Sequence, residues 1–442
     1  MLWLTPIVYV ALLVVTFVVR RAEGSWYSPA AFFLGAWSLL AGLPLVFGPT
    51  AVPPAGLVFV LGAGLSMALG AELARRRLGP TGASGSPSRS LPGLPWLIAG
   101  STVLGVIAVA LVLQSKGRGL DVFLSPAALR HTAHEFSVAR YSEGWQEPVL
   151  ARVLVTAMYL GPLLSGVLVA ARSTRSRWLS LLALVPGGMM AAVLTTKASL
   201  VLPVVFIVAS YLASRLALGA PPTLKARQSV VLFGLAIAGA ATLVLIQMGR
   251  YAYTTPTQAV TVATLLMSQL FPYLGVFSNW FQQGGWHTLH PSWGAYSLAG
   301  VFDLLHLSVR PSGLYTDQAM VNGAPYNVYT VFRGVIEDFT VPGAIAVFGL
   351  VGYAAEVAYH RVRLGDFRSV AVLAAFFVFT MWSFVVDIFI YNTVLLACVL
   401  LAFYLRAVWR PATRAIPAVD ETVSTSAHLV RDVTTAAASR RA

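Results

Sequence analysis

The sequence predicts an all-helical bundle that crosses a membrane many times, and three observations predict it. Of its 442 residues 57% are hydrophobic and only 10% charged, whereas soluble globular chains carry about 25% charged residues. Apolar runs near the ~20 residues that span ~30 Å of hydrocarbon recur almost from end to end. Arg and Lys, the source of a formal net charge of +14, gather in short connections between those runs, as topology signals and contacts with anionic headgroups do. They form neither a basic domain nor an aromatic-interleaved patch, which argues against a nucleic-acid partner.

The expected spans, about eleven by length and hydropathy, are 2–19, 29–48, 55–73, 96–113, 151–171, 178–196, 199–218, 229–248, 340–359, 368–387 and 391–408. The first has no basic stretch before it and no small-residue cleavage site after it, and reads as a retained helix. Basic clusters follow alternate spans: Arg20 and Arg21, Arg75 to Arg77, Arg172 with Arg175 and Arg177, Lys225 with Arg227, Arg361 with Arg363, and Arg406 with Arg410. All lie on one side only if the N-terminus is outside and the C-terminus inside. A further apolar stretch, Thr261 to Phe281, contains Gln269, Pro272 and Asn279. Counting it as a span moves the last basic clusters outside, so it reads as a re-entrant or interfacial segment on the outer face.

Residues 1–410 thus form one transmembrane domain, with outer loops at 114–150 and 249–339 and a Gly/Pro/Ser-rich cytoplasmic linker at 79–95. The cytoplasmic tail, 411–442, is expected to be poorly ordered. Cys398 is the only cysteine, which excludes an intramolecular disulfide and a cysteine metal cage. The two outer loops hold Trp, Tyr, His, Arg, Asp and Glu at a density unlike the rest of the chain, and function is sought there.

In the first loop Ser125-Pro126 marks a helix start. Leu129, Ala133 and Phe136 then form an apolar stripe, and Arg130 with His134 and His131 with Glu135 are polar neighbours four residues apart, the pattern of a lipid-interface or substrate-contacting helix. The His-x-x-His-Glu order lacks the zinc-protease arrangement and an evident third ligand, so no metal is expected. In the second loop, Pro325 to Phe339 places Asn327, Thr330, Arg333 or Gly334, and Glu337 along one side of a helix, with Val328, Val331, Phe332, Val335 and Phe339 along the other. Either the polar row faces a cavity, or Arg333 and Glu337 are an ordinary four-residue ion pair. Arg250, closing the eighth span, and Lys197, in the turn between the sixth and seventh, either snorkel to the interface or bind an anionic substrate. His287 and His290 are ligands, bases or structural.

Tyr326-Asn327-Val328-Tyr329 through Arg333 and Asp338-Phe339 to Gly343 is similar to the Asn-x-Tyr, Arg, Asp-Phe-Gly-x-x-Gly run of Wzy-type oligosaccharide repeat-unit polymerases, the O-antigen polymerase family. Thr340 stands in place of the first Gly of that ending. Thr195-Thr196-Lys197-Ala198 resembles the family's basic turn, with Lys where Arg is frequent. The number of spans and the long late outer loop resemble the family's architecture as well.

The resemblance implies a multi-pass protein of the bacterial inner membrane. It implies a GT-C-like glycosyltransferase that polymerises undecaprenyl-pyrophosphate-linked repeats into O-antigen or a related surface polysaccharide at the periplasmic face, without a cofactor. A chain-length regulator and a flippase are the implied pathway partners, besides membrane lipid. That chemistry suits the residues already singled out: Arg250, Arg333, Glu337 and Asp338 are the expected catalytic residues, and Tyr326, Asn327, Tyr329, Lys197 and Arg130 are expected to bind substrate. No Asp-x-Asp pair is present, in keeping with a lipid-pyrophosphate donor, and arginines would replace the metal. The alternatives are an O-antigen ligase, whose usual His before the Asn motif is missing here, and a lipid flippase or transporter, which calls for charges within the spans and shorter loops.

This topology has a direct check. Single cysteines introduced into 282–339, in a Cys398→Ser background, are expected to react with a membrane-impermeant thiol reagent from outside; labelling only after cytoplasmic access would overturn the orientation and the choice of loop together.

Overall fold

The computed structural model describes residues 3–47, 52–79, 91–142, 144–171, 177–220, 239, 241–249, 251, 255–270, 272–287, 290–307, 315, 319–321 and 324–408. The described chain is helical apart from one small antiparallel ribbon. Its helices are α1 (Leu4–Glu23), α2 (Pro29–Phe47), α3 (Pro54–Leu78), α4 (Leu94–Gln114), α5 (Pro126–Ser142), α6 (Val149–Ala170), α7 (Arg177–Leu182), α8 (Val185–Leu194), α9 (Lys197–Ala217), α10 (Pro256–Leu270), α11 (Tyr273–Gln282), α12 (Ala299–Leu304), α13 (Thr330–Arg363), α14 (Val370–Trp382) and α15 (Asn392–Val408). Residues 241–249 are also helical. The ribbon pairs β1 (Ala319–Val321) with β2 (Ala324–Tyr326), Ala319 opposite Tyr326.

Among the described residues seven helices, α1, α2, α3, α4, α6, α9 and α13, are long and apolar enough to cross a membrane. Their outward faces agree with a lipid solvent: on α1, Ile7, Val10, Val14, Phe17 and Val18 are each more than half exposed, a stripe that water would penalise. The chain is therefore a polytopic helical bundle. Three other expected spans are shorter apolar helices, Trp178–Leu194, Phe367–Trp382 and Asn392–Val408. Most of the expected span 229–248, the core of the linker 79–95, Arg250 and the tail 411–442 lie outside the described residues.

Two expected elements are divided, each at a proline. The run 178–196 is split into α7 and α8, because Pro186 has no N–H to offer the carbonyl four residues before it. The stretch 261–281 becomes α10 and α11, with Pro272 at the N-cap of α11. The ten residues of α11 are too few to cross a bilayer alone. Tyr273, Leu274, Val276 and Phe277 are buried, the Tyr273 hydroxyl donates to the Leu40 carbonyl of α2, and Phe277 meets Phe59 of α3 and Phe332 of α13. The segment is thus a short helix wedged among longer ones.

The helices α3 and α13 approach closely, and glycine makes it possible. A Cβ on Gly70 would overlap the Gly349 carbonyl, one on Gly352 would overlap the Met67 carbonyl, and Ser66 Oγ donates to the Ile345 carbonyl at 2.6 Å. Small residues let two backbones approach this closely, which drives helix association where lipid supplies no hydrophobic effect. This contact fixes α13, the helix that carries most of the candidate site.

The helix α13 is not straight. Thr340 has φ 63° and ψ 176°, a conformation essentially reserved for glycine and costing about 1–3 kcal/mol otherwise, and Pro342 follows within the same kink. Glycine at 340 costs only about 0.5–1 kcal/mol of extra backbone entropy. Thr340→Gly is therefore expected to raise the thermal unfolding temperature of the purified protein; an unchanged or lower temperature would show that the Thr340 backbone is unstrained.

Candidate functional site

The kink dictates how the loop docks. Pro342 cannot donate to the Asp338 carbonyl four residues earlier, and a carbonyl released in this way needs another donor. The loop before α12 supplies it: Trp293 N–H donates to the Asp338 carbonyl at 3.1 Å and Ser292 N–H to the Glu337 carbonyl at 3.3 Å. The Asp338 side chain, fully buried, completes the clamp. Its Oδ1 accepts from Ser292 Oγ and from Tyr296 N–H at 2.9 Å, and its Oδ2 from Ser297 N–H at 2.6 Å. Residues 292–297 are thereby stapled across the first turns of α13.

Under this staple lies Arg333, 6% exposed. Its Nε donates to Glu337 Oε1 at 2.7 Å, and the guanidinium carbon stands 4.0 Å from the ring centres of Tyr315 and Tyr329 and 5.0 Å from that of Trp280. Such contacts are worth about 2 kcal/mol or more where water is excluded. Tyr296 stacks on Tyr315 with 5.9 Å between ring centres, and Tyr326 packs against the same cluster. Gly334 leaves room for it, since a Cβ there would come within 3.2 Å of the Tyr315 hydroxyl. Burial, reinforced by the Glu337 carboxylate, raises the Tyr315 hydroxyl well above the ordinary phenol range, so it remains a neutral donor. Among the described residues that hydroxyl has no hydrogen-bond partner.

The opposite side of this helical turn faces the core. Phe332 is fully buried against Trp37, Phe59, Phe277 and Phe348, at ring distances of 4.6, 5.5, 5.5 and 5.4 Å. Of the expected apolar row, Val331, Phe332 and Val335 are buried on this side, whereas Val328 precedes the helix and Phe339 is half-buried. The expected polar row needs correction. The helix begins at Thr330, so Asn327 lies before it and exposed, and Tyr326 ends β2. Thr330, Arg333 and Glu337 are buried, Arg333 against aromatic rings. Arg333 and Glu337 do form the four-residue pair, but as a buried pair and not a surface one.

Of the residues chosen from sequence, Arg333, Glu337 and Tyr329 are brought into direct contact, with Asp338 beside them and Tyr326 at the rim. Lys197 opens α9 just after Thr195, whose φ is 53°, and Gln247 Nε2 donates to the Thr195 carbonyl at 3.3 Å. The helical run 241–249 therefore meets the turn that carries Lys197. Arg130 is exposed on α5, a helix that starts at Pro126 as expected and buries Ala133 and Phe136. On the same helix Glu135 pairs with Arg118 at 2.7 Å, and His131 Nδ1 lies 3.5 Å from Glu135. Among the described residues no three His, Cys, Asp or Glu side chains stand together as a metal site. Sequence reasoning missed Ser292, Tyr296, Tyr315 and Trp280, which no spacing ties to Arg333; the one legible signal was the proline four residues after Asp338, which demands an outside donor.

Helix lengths, apolar faces and this polar cluster at one end of a helix define the class: a multi-pass helical membrane protein. No family model, no curated protein and no solved structure matches the chain.

The clamp predicts a local effect. Asp338→Asn replaces one acceptor oxygen with an amide that faces backbone donors, a loss of about 1–3 kcal/mol. Amide hydrogen exchange at 292–297 is expected to speed up at least about fivefold; unchanged protection there would show that Asp338 does not hold the loop.

Proposed function

We propose that the protein is a membrane glycosyltransferase that joins lipid-pyrophosphate-linked oligosaccharide repeats, a polysaccharide polymerase of the Wzy type acting at the outer face of the bacterial inner membrane. The observation that carries this reading is Arg333, an arginine held by Glu337 and three aromatic rings at the start of α13 within the segment that resembles the polymerase motif. A second supports it: Thr340, which stands where that motif has glycine, takes a backbone conformation suited to glycine.

In this reading a hydroxyl of the acceptor sugar bonds to the anomeric carbon of the donor, the carbon–oxygen bond to the diphosphate breaks, and its electron pair and the acceptor's proton end on the departing diphosphate. Negative charge grows on the diphosphate as the bond breaks, and a preorganised cation lowers that barrier. Arg333 is assigned that role, with Glu337 setting the plane of the guanidinium. Arg250 and Lys197 are further cations for the diphosphate. Asp338 acts through the loop it staples and is a positioning residue. Tyr326 and the exposed Asn327 offer a flat apolar face and an amide to the acceptor sugar. Undecaprenyl-pyrophosphate repeats are the substrate, and a chain-length regulator and a flippase are the partners this pathway role calls for.

The test is elongation of lipid-linked repeats by the purified protein in liposomes. The wild type is expected to lengthen the chains, and Arg333→Lys, which keeps the charge but loses the fork, to do so at least about tenfold more slowly, matching about 1.5 kcal/mol of lost charge-assisted bonding. Movement of unmodified lipid across the bilayer would instead mean a flippase. Full-rate elongation by Arg333→Lys at matched insertion would remove the guanidinium from the mechanism.

A further inference from the structure

The opposite end of α13 holds a second polar constellation that the polymerase reading does not use. There the ends of α1, α3 and α13 enclose a cavity of about 440 Å³ whose lining includes Glu23, Glu72, Arg75, Glu356, His360 and Arg363, within the ~300–1,000 Å³ usual for small-ligand sites. His360 Nε2, 3.2 Å from the Gly79 carbonyl, ties one wall to the end of α3.

The charges in this cavity are unevenly matched. Arg75 is shared by three carboxylates, at 2.7 Å from Glu23, 3.5 Å from Glu72 and 3.6 Å from Glu356. Glu72 has a second partner in Arg76 at 2.8 Å, and Glu23 also accepts from Ala31 N–H at 3.3 Å. Glu356 has the poorest match. It is 3% exposed, and among the described residues its only ion-pair contact is the long one to Arg75 Nε and its Oε2 has no hydrogen-bond partner. Burying a carboxylate this way is costly unless something completes its bonds. At the mouth, Arg363 is exposed. Its guanidinium carbon lies 5.8 Å from the centre of the Tyr359 ring, and among the described residues no carboxylate lies within 4.0 Å of it. The cavity therefore has a buried carboxyl with an unfilled hydrogen bond at its floor and an exposed guanidinium at its rim.

We propose that this cavity binds an ammonium–phosphate zwitterion of the phosphoethanolamine type, the ammonium on Glu356 and the phosphate on Arg363. A primary ammonium has three donors for the floor carboxylate, and guanidinium forks onto phosphate oxygens. The location favours a lipid source, phosphatidylethanolamine, because the cavity lies at the ends of apolar helices among Arg20, Arg21, Arg75 to Arg77 and Arg361, where headgroups of a bilayer would lie. Phosphatidylcholine has a quaternary ammonium without N–H donors, and phosphatidylglycerol has no cation. This site does not depend on the polymerase reading.

The experiment is native mass spectrometry of the full-length protein in detergent with equimolar phosphatidylethanolamine, phosphatidylcholine and phosphatidylglycerol, alongside calorimetric titration with soluble phosphoethanolamine. Retention of phosphatidylethanolamine is expected to exceed that of the other two by about tenfold, the worth of one charge-assisted hydrogen bond, and to lose this preference in Glu356→Gln. Arg363→Gln, at an exposed position, carries the test if Glu356→Gln does not insert, and is expected to weaken retention severalfold. Binding of phosphoethanolamine with no lipid preference would keep the zwitterion site and assign it a soluble ligand. Equal retention of phosphatidylethanolamine and phosphatidylglycerol together with no calorimetric binding of phosphoethanolamine, or undiminished retention of phosphatidylethanolamine in Arg363→Gln, would overturn the proposal.

Discussion

The candidate site depends on a break in one helix. At Thr340–Pro342 the hydrogen-bond ladder of α13 is interrupted, and the carbonyls of Glu337 and Asp338 turn to loop donors at Ser292 and Trp293. A continuous helix would keep those carbonyls for itself and leave the loop nothing to dock on. The strained φ of Thr340 is then compensated elsewhere: two backbone bonds and three bonds to the Asp338 carboxylate form around it. Local strain that survives because its surroundings over-determine it is a recurrent feature of functional sites.

What the loop covers is a charge that would be expensive to bury alone. An exposed Arg–Glu pair four residues apart is worth a few tenths of a kcal/mol, whereas removing one partner of a buried pair costs about 3–5 kcal/mol. Arg333 and Glu337 belong to the second regime, since both are almost wholly buried. The three rings around the guanidinium replace part of its lost hydration with their negative faces. An apolar pair of the same size would avoid the desolvation penalty altogether. That the position holds an arginine fits a requirement for positive charge there, which the diphosphate reading supplies.

Much of the fold was legible, for reasons that also mark where legibility ended. Apolar runs gave the helices because lipid admits few other structures, and Ser125-Pro126 gave the start of α5 because its Oγ accepts from Ala128 N–H at 3.3 Å. Hydropathy alone could not see that Pro186 and Pro272 divide apolar runs, since it averages over the hydrogen bonds that prolines remove. At the site, helical spacing gave the Arg333–Glu337 pair and the buried face of Phe332, both local facts. The cage was not legible: Trp280 and Tyr315 lie far from Arg333 in sequence, and only the packing of α11 against α3 and α13 brings Trp280 near. The partners of Asp338 were not legible either: they are two loop backbone N–H groups and the Ser292 hydroxyl, which no helical spacing ties to it.

The two charged constellations also bear on how the bundle sits in lipid. Glu337 and Glu356 lie on the same helix, nineteen residues apart in sequence, which at ~1.5 Å per residue is about 28 Å along the axis, somewhat less across the kink. That is close to the ~30 Å thickness of the hydrocarbon core. Between Asp338 and Glu356 α13 has no charged residue, and it meets α3 there through glycines and the Ser66 hydrogen bond. Charged side chains are tolerated at the two interfaces and costly midway, so one cluster at each face is the placement that exposes neither to hydrocarbon. The Glu356 end is the arginine-rich one. If that end faces the cytoplasm, as the positive-inside bias predicts, the same helix puts Arg333 at the outer face, where a lipid-linked sugar would meet it.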